Sequence, residues 1–177
     1  MNSPGEKYPP RVRILFVADV VGRAGIEVLT RLLPGLIESR GPDLVIANGE
    51  NGDQGRGLTV EQVELFTRLG VDVITSGNHI WDKAPLRKQM RRLPNLLRPL
   101  NYPPGSGGRG SVVVETRCGV PAAVINLQGR TFLPPIDCPF RTAERVLENL
   151  EGRAKVIFID MHAETTAEKQ ALAWFLD

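Results

Sequence analysis

The chain has 177 residues, which suits one domain with one core, and its composition is that of an ordinary soluble globular protein. Its formal net charge of +2 is too small to indicate nucleic-acid or membrane binding by itself. The only two cysteines, Cys118 and Cys138, lack a Cys-x-x-Cys spacing, which argues against a disulfide framework or a structural zinc site and favours a reducing compartment. No apolar run reaches transmembrane length, so we predict a cytoplasmic protein without a membrane partner.

The first half of the chain alternates predicted strands and helices. Residues 1–11 are polar and rich in proline, which predicts a flexible tail before a single domain over residues 12–177. Apolar runs at 13–18, 44–47 and 71–75 predict strands. The first predicted helix covers 25–38, with Pro34 as a kink or early end. The second runs from Thr59 to Gly70, and Gln62 completes a capping box with Thr59. The third covers 85–92.

The second half predicts a hairpin followed by a further unit of helix and strand. Residues 111–115 and 120–127 predict antiparallel strands around a turn at 117–119. A helix is predicted over 142–150 and a strand over 156–159. A final helix is predicted from Thr166, with a second capping-box match between Thr165 and Glu168. Successive β-α units followed by mixed strands predict a layered α/β sandwich.

Residue types that bind metals recur each time an apolar run ends. In an open α/β sheet, ligands gather at the carboxyl ends of the strands, so these groups are expected to converge on one site. Asp, Glu, Asn and His are the donors that hold hard or borderline divalent metals. The pattern therefore indicates a metal-dependent enzyme. The four runs end, in order, in Asp19, Asn48-Gly49-Glu50-Asn51, Ser76-Gly77-Asn78-His79 and Asp160-Met161-His162.

Each of the first two groups also has a purely structural explanation. Asp19 is equally consistent with a helix N-cap or a loop aspartate, and Asn-Gly usually marks a polar turn. As a functional group, Glu50 suits a bridge between two metals, because one anion then neutralises charge on both. Asn51 could ligate a metal through its amide oxygen or hold a phosphate oxygen.

Gly77-Asn78-His79 is the strongest local signal. It places an amide ligand beside an imidazole after a buried strand. In phosphoester hydrolysis the amide can bind metal while a protonated histidine donates to the leaving oxygen. A lone histidine is more often a packed or surface residue, but the only two histidines here, His79 and His162, both follow predicted strands.

These motifs resemble those of a known enzyme family. Asp19-x-x-Gly22, Gly49-Glu50-Asn51 and Gly77-Asn78-His79 match successive signature blocks of the calcineurin-like metallophosphoesterases. The resemblance is closer to the bacterial YmdB-like branch and covers essentially residues 13–177. The blocks that carry this closer resemblance are 47–51, 77–82, 98–103, 125–130, 134–141 and 160–164.

The resemblance implies a layered α-β-β-α sandwich with mixed sheets and a dinuclear metal centre, usually of iron or manganese. It also implies hydrolysis of phosphodiesters, including 2′,3′-cyclic nucleotides, by a metal-held hydroxide that attacks phosphorus in line. His79 would be the acid near the leaving group. The substrate would be a small nucleotide, with RNA ends and a homo-oligomer left open. The implied metal ligands are Asp19 on one metal, Glu50 on both, Asn51 on the first metal or the phosphate, and Asn78 and His162 on the second.

The family pattern continues beyond the equivalent of Leu176-Asp177, through another strand and a Gly-Thr-His-Thr-His type motif that supplies one further histidine to each metal. No residue here matches that pair. We therefore expect a domain that lacks its C-terminal strands, with under-coordinated metals, exposed apolar surface and an unpaired sheet edge. The final helix, with Leu172, Trp174 and Phe175, should find partial cover. The alternative to an active phosphodiesterase is a truncated, non-catalytic remnant that binds metal weakly or acts by protein contact.

A dinucleotide-binding domain is a third hypothesis, suggested by Val20 to Gly25 after the first strand. The spacing is not Gly-x-Gly-x-x-Gly, and the second strand does not end in the acidic residue that binds a ribose. A Gly-Lys-Ser/Thr phosphate loop is absent from the sequence. Neither cysteine has the basic or histidine context of a nucleophile.

Overall fold

Two three-stranded sheets pack face to face in the structure, a computed structural model that describes residues 11–177. The predicted tail therefore lies outside the described residues, apart from Arg11. The first sheet is wholly parallel, in the order β1 (Ile14–Val17), β2 (Leu44–Asn48) and β3 (Val73–Thr75). The second contains β4 (Ser111–Glu115), β5 (Pro121–Gln128) and β6 (Val156–His162), with β4 antiparallel and β6 parallel to β5.

The helices cover the outer faces of both sheets. Apolar side chains such as Val45 and Ala47 pack under α1 (Gly22–Arg40), α2 (Val60–Arg68) and α3 (Ala84–Gln89). Alternate residues, such as Leu44 and Ile46, face the second sheet, because successive side chains of a strand point to opposite faces. Beyond the second sheet lie α4 (Pro139–Leu150) and α5 (Thr166–Leu176). The predicted layered α-β-β-α sandwich is confirmed, with a parallel first sheet and a mixed second sheet.

Two predicted helix boundaries are wrong. The first helix begins at Gly22 and continues through Pro34 to Arg40, instead of covering 25–38. An internal proline costs about 3 kcal/mol, and the burial of Leu29 and Leu33 against the core offsets that cost. The fourth helix starts at Pro139, not near 142, because proline is well suited to the first turn of a helix.

The two predicted capping boxes have different outcomes. The hydroxyl of Thr59 accepts from the Gln62 amide at 3.3 Å, and the Gln62 side chain accepts from the Thr59 amide at 3.0 Å, so the first box is confirmed. The second box is wrong, since the Thr165 side chain makes no cap hydrogen bond. The carboxylate of Glu168 instead accepts from the amides of Arg130 and Thr131, at 2.8 and 3.2 Å.

The expected uncovered surface lies along one flank of the sandwich. The strands β1 and β6 each pair with a single neighbour and meet through Phe16 and Phe158, whose rings are 5.0 Å apart. Beside them, Val28 and Leu32 of α1 are about half exposed. The final helix is partly covered, as expected: Leu172 is buried and Phe175 packs edge-to-face on Phe140, whereas Trp174 is 79% exposed. Within residues 11–177, every helix is too short or too polar to cross a membrane.

Candidate functional site

One cavity is lined by all six predicted site residues. It lies at the carboxyl ends of β1, β2, β3 and β6, which open at the same edge of the sandwich because the first three strands are parallel and the sheets pack face to face. The convergence expected from the four strand ends is therefore present. The predicted residues that line this cavity are Asp19, Glu50, Asn51, Asn78, His79 and His162.

Asp19 is held in the left-handed region of the backbone, with a φ of 46°. This conformation is costly for a residue other than glycine. The main chain around it is fixed by hydrogen bonds from the Val20 amide to Asn48 and from the Gly22 amide to Asn51, at 2.9 and 2.8 Å. The helix N-cap is Val21, so the alternative role of Asp19 as an N-cap is wrong.

Glu50 is the most deeply buried acid of the cavity, with 2% of its surface exposed. Its Oε1 lies 3.0 Å from Nδ1 of His162, while its Oε2 is buried and has no hydrogen-bond partner among residues 11–177. A buried carboxylate oxygen without a donor is energetically expensive. A cation at this position would satisfy it, so the donor set fits a bound metal.

His162 joins Glu50 to Asn78. Its Nε2 lies 2.8 Å from the amide oxygen of Asn78, which can only accept, and its Nδ1 faces a carboxylate that can only accept. Burial alone would lower the pKa of His162, but the hydrogen bond and charge of Glu50, helped by Asp160 and Glu164, raise it above its ordinary value. Both ring nitrogens are therefore suited to carry protons, which a metal would displace on binding.

A second hydrogen-bonded chain runs from Asp19 through Asn51 to His79. The amide nitrogen of Asn51 donates to Asp19 at 2.9 Å, and its oxygen lies 2.7 Å from Nδ1 of His79. Since that oxygen only accepts, Nδ1 of His79 carries a proton. The hydrogen bond to Asn51 therefore does not involve Nε2, which can exchange a proton with a ligand in the cavity. The structure therefore uses both ends of the Asn51 amide to orient its neighbours.

Gly77 leaves the space in which Glu50 and His162 pack against the main chain. A Cβ at this position would lie 2.5 Å from Cγ and Nδ1 of His162 and nearer still to Oε2 of Glu50. Its φ of −146° lies outside the left-handed region, and the requirement for glycine follows from the lack of space for a side chain.

Three further charged residues line the cavity, Asp160, Glu164 and Lys169, and none of them had a role predicted from the sequence. The carboxylate of Asp160 accepts from the side chain of Asn48 at 3.0 Å, and burial raises the pKa of Asp160. Asp160 and Glu164 were visible in the block 160–164, while Lys169 lies within a helical pattern that gave no signal for it.

Asparagine makes up part of the metal-ligand set expected from the sequence. Within the described chain, no three Asp, Glu, His or Cys side chains form a ready cluster for an ion. The proposed set contains three such residues, Asp19, Glu50 and His162, divided between the two hydrogen-bonded chains. The amides of Asn51 and Asn78 complete each half.

The chain is similar to several known proteins. It is 45% identical over 166 residues to the 2′,3′-cyclic-nucleotide 2′-phosphodiesterase of Bacillus subtilis strain 168, covering 94% of this chain and 62% of that protein. A crystal structure of a hypothetical protein from Thermus thermophilus matches with a TM-score of 0.86 and 39% identity, over 93% of this chain and 63% of that one. A novel phosphatase from Mycoplasma pneumoniae matches with a TM-score of 0.82 and 31% identity, over 94% and 60%.

The chain thus spans just over three fifths of the length of these relatives. A family model described as YmdB-like protein matches residues 15–177, nearly all of the chain. The aligned part contains every residue of the cavity. The chain belongs to the YmdB-like protein family.

Proposed function

We propose that this site hydrolyses phosphodiesters, with 2′,3′-cyclic nucleotides as substrates and two transition-metal ions, iron or manganese, as cofactors. The observation that carries the proposal is the buried, unpartnered Oε2 of Glu50 in a cavity shared with five further ligand or acid residues. The name of the Bacillus subtilis relative supports the substrate class.

The two hydrogen-bonded chains suggest how two ions would be divided. Asp19 and Asn51 would serve one ion and Asn78 and His162 the other, with Glu50 between them. Five side chains leave room in both coordination shells, which water or a partner would fill. When bound, such ions supply Lewis acidity and lower the pKa of a coordinated water.

His79 is suited to the role of general acid. Asn51 fixes its ring through Nδ1, so a second proton on Nε2 would be directed at the leaving oxygen of the substrate. In a 2′,3′-cyclic phosphate the leaving oxygen belongs to the ribose, and its developing charge needs a proton as the phosphorus–oxygen bond breaks. The ammonium of Lys169, at the wall of the same cavity, is a cation available to the phosphate.

The test is Glu50→Gln, with the exposed Glu64→Gln as the matched control. Glu64 has only a loose ion pair with Arg68, at 3.9 Å between surface side chains. After incubation with Mn²⁺ or Fe²⁺, metal content and hydrolysis of 2′,3′-cyclic AMP are measured. We expect wild type and Glu64→Gln to bind metal and turn over, and Glu50→Gln to lose metal and at least about 100-fold in rate.

Two results would contradict the proposal. Unchanged turnover in a metal-loaded Glu50→Gln sample would show that the site is wrongly assigned. A folded wild-type chain that takes up no metal and hydrolyses no cyclic nucleotide would instead support the non-catalytic remnant.

A further inference from the structure

The charges of this chain are strongly segregated. Residues 83–114 carry seven lysines and arginines and no aspartate or glutamate. The remaining fifteen of the 22 basic residues share the rest of the chain with all 20 acidic residues. The net charge near zero is therefore the sum of one strongly basic segment and an acidic remainder of the chain.

Five of the seven cations form an exposed surface, here called the basic track: Arg87, Lys88, Arg91, Arg92 and Arg109. Within residues 11–177, none of the five has an ion-pair partner, whereas Lys83 pairs with Asp53 at 2.6 Å. The seventh, Arg98, is buried and donates to main-chain carbonyls.

The track is built on α3 and the short 3-10 helix Met90–Arg92 that follows it. Leu86 and Met90 are fully buried in the core, which turns Arg87, Lys88 and Arg91 outward. The pairs Arg87/Arg91 and Lys88/Arg92 place like charges four residues apart, an arrangement that destabilises a helix. Arg109 follows a loop in which Gly108 packs against Met90.

The helix that carries most of the track starts beside the rim of the candidate site. The 3-10 helix Asn78–Trp81 carries Asn78 and His79 and leads directly into α3. Ion pairs of 2.6 Å, Arg56 with Asp82 and Lys83 with Asp53, join the start of α3 to the loop that follows Asn51. The nine residues from Ala84 to Arg92 extend roughly 14 Å from this rim, at about 1.5 Å per residue. That length suits a few successive phosphates of a single strand.

We propose that the basic track binds the phosphate backbone of single-stranded RNA whose 2′,3′-cyclic phosphate end enters the cavity. The inference rests on the proposed function and names its substrate class as RNA ends rather than free mononucleotides. A mononucleotide has no phosphate beyond the reacting one, so it cannot use cations that extend away from the rim. An extended polyanion whose end reaches Lys169 and the proposed metal ions in the cavity can also use the cations of the track.

The first test measures binding alone, on metal-free protein so that no turnover occurs. Anisotropy of a short fluorescent RNA ending in a 2′,3′-cyclic phosphate is recorded between 50 and 200 mM salt. Each phosphate contact contributes a slope of about −0.7 to log K against log salt, so four contacts predict an affinity loss of about 50-fold over this range. Arg87→Glu/Arg91→Glu should bind more weakly and lose only about 7-fold, as expected for two contacts.

The matched control is Arg141→Glu/Arg145→Glu, an equal charge change at the same spacing on α4. This variant should keep the wild-type slope. Circular dichroism and thermal unfolding confirm that both variants fold. Equal losses in the two variants, or no RNA binding by wild type, would overturn the proposal. Track-dependent capture by phosphatidylserine vesicles without RNA binding would overturn it in favour of a membrane surface.

The second test uses metal-loaded enzyme and compares KM for the same RNA with KM for 2′,3′-cyclic AMP. We expect a lower KM for the RNA in wild type and in the α4 control, and loss of that advantage in the track variant. Turnover without any preference for RNA would overturn the inference but leave the proposed function intact. Absence of all turnover would contradict the proposed function. The binding test would still show whether the basic track binds RNA.

Discussion

The space at Gly77 gives the sharpest test of how the site is packed. In Gly77→Ala the added methyl would lie 2.5 Å from two ring atoms of His162, whereas ordinary contacts begin near 3.4 Å. The ring must therefore move by about 0.9 Å, and the carboxylate of Glu50 must move further. The 3.0 Å pair between Glu50 and His162 would then exceed hydrogen-bonding distance.

The magnitude follows from the burial of that pair. Breaking a buried charge pair costs about 3–5 kcal/mol, and the partly accessible ring of His162 can relieve some of it by turning outward, so we expect a loss of about 2–3 kcal/mol. For a chain of this size, 1 kcal/mol corresponds to roughly 2–4 °C, so Tm should fall by roughly 4–12 °C. Metal that stabilises the wild type should stabilise the variant less, because both displaced side chains are proposed ligands.

The assay is thermal unfolding of metal-free protein, repeated with added Mn²⁺. Gly35→Ala is the control, because nothing lies within 4 Å of its added methyl and alanine favours the helix interior by about 0.5–1 kcal/mol. The reasoning is refuted if Gly77→Ala melts within about a degree of wild type and keeps the full Mn²⁺ shift.

Two further predictions concern other parts of the fold. In urea denaturation, Thr59→Ala should lower the free energy of unfolding by about 1 kcal/mol, and Thr165→Ala should lower it by less than half of that. The reason is that Thr59 makes a capping hydrogen bond and Thr165 makes none. Equal losses in the two variants would contradict the assignment of the caps. Burial raises the pKa of the Tyr102 hydroxyl above its ordinary value. The stabilising contribution of Tyr102 is therefore complete below about pH 10 and is lost as pH rises through the folded pKa. In an absorbance titration of tyrosinate, Tyr102→Phe should remove the more alkaline component; an unchanged curve would contradict the burial argument.

Most of the architecture could be predicted because its causes are local. The runs around Val45 and Ile74 are apolar, short and bounded by polar turns, and burial on both faces follows from them. The last strand was predicted to end at Ile159 because its residues become polar there. The ladder nevertheless continues, with Asp160 to His162 opposite Asn126 to Gln128, because main-chain pairing does not depend on apolar side chains.

What the sequence could not show depends on contacts between distant segments. The carboxylate of Glu168 could accept hydrogen bonds either at the start of its own helix or from another segment. Its neighbours along the chain suggested the first, a capping box. The amides of Arg130 and Thr131, brought close by the fold, take it instead. Likewise, the convergence of the site residues was expected from topology, but the use of Asn51 to join Asp19 and His79 was not, because spacing says nothing of amide orientation.

Under the proposed function, the left-handed backbone of Asp19 opposes two kinds of selection, one for a metal ligand at this position and one for a stable fold. A glycine there would relieve about 1 kcal/mol of unfavourable backbone conformation while deleting a carboxylate of the cavity. A lineage freed from the need to bind metal would therefore gain by drifting away from aspartate at this position. Retention of Asp19 across a set of homologues would then be a record of function under continued selection, since stability alone favours its loss.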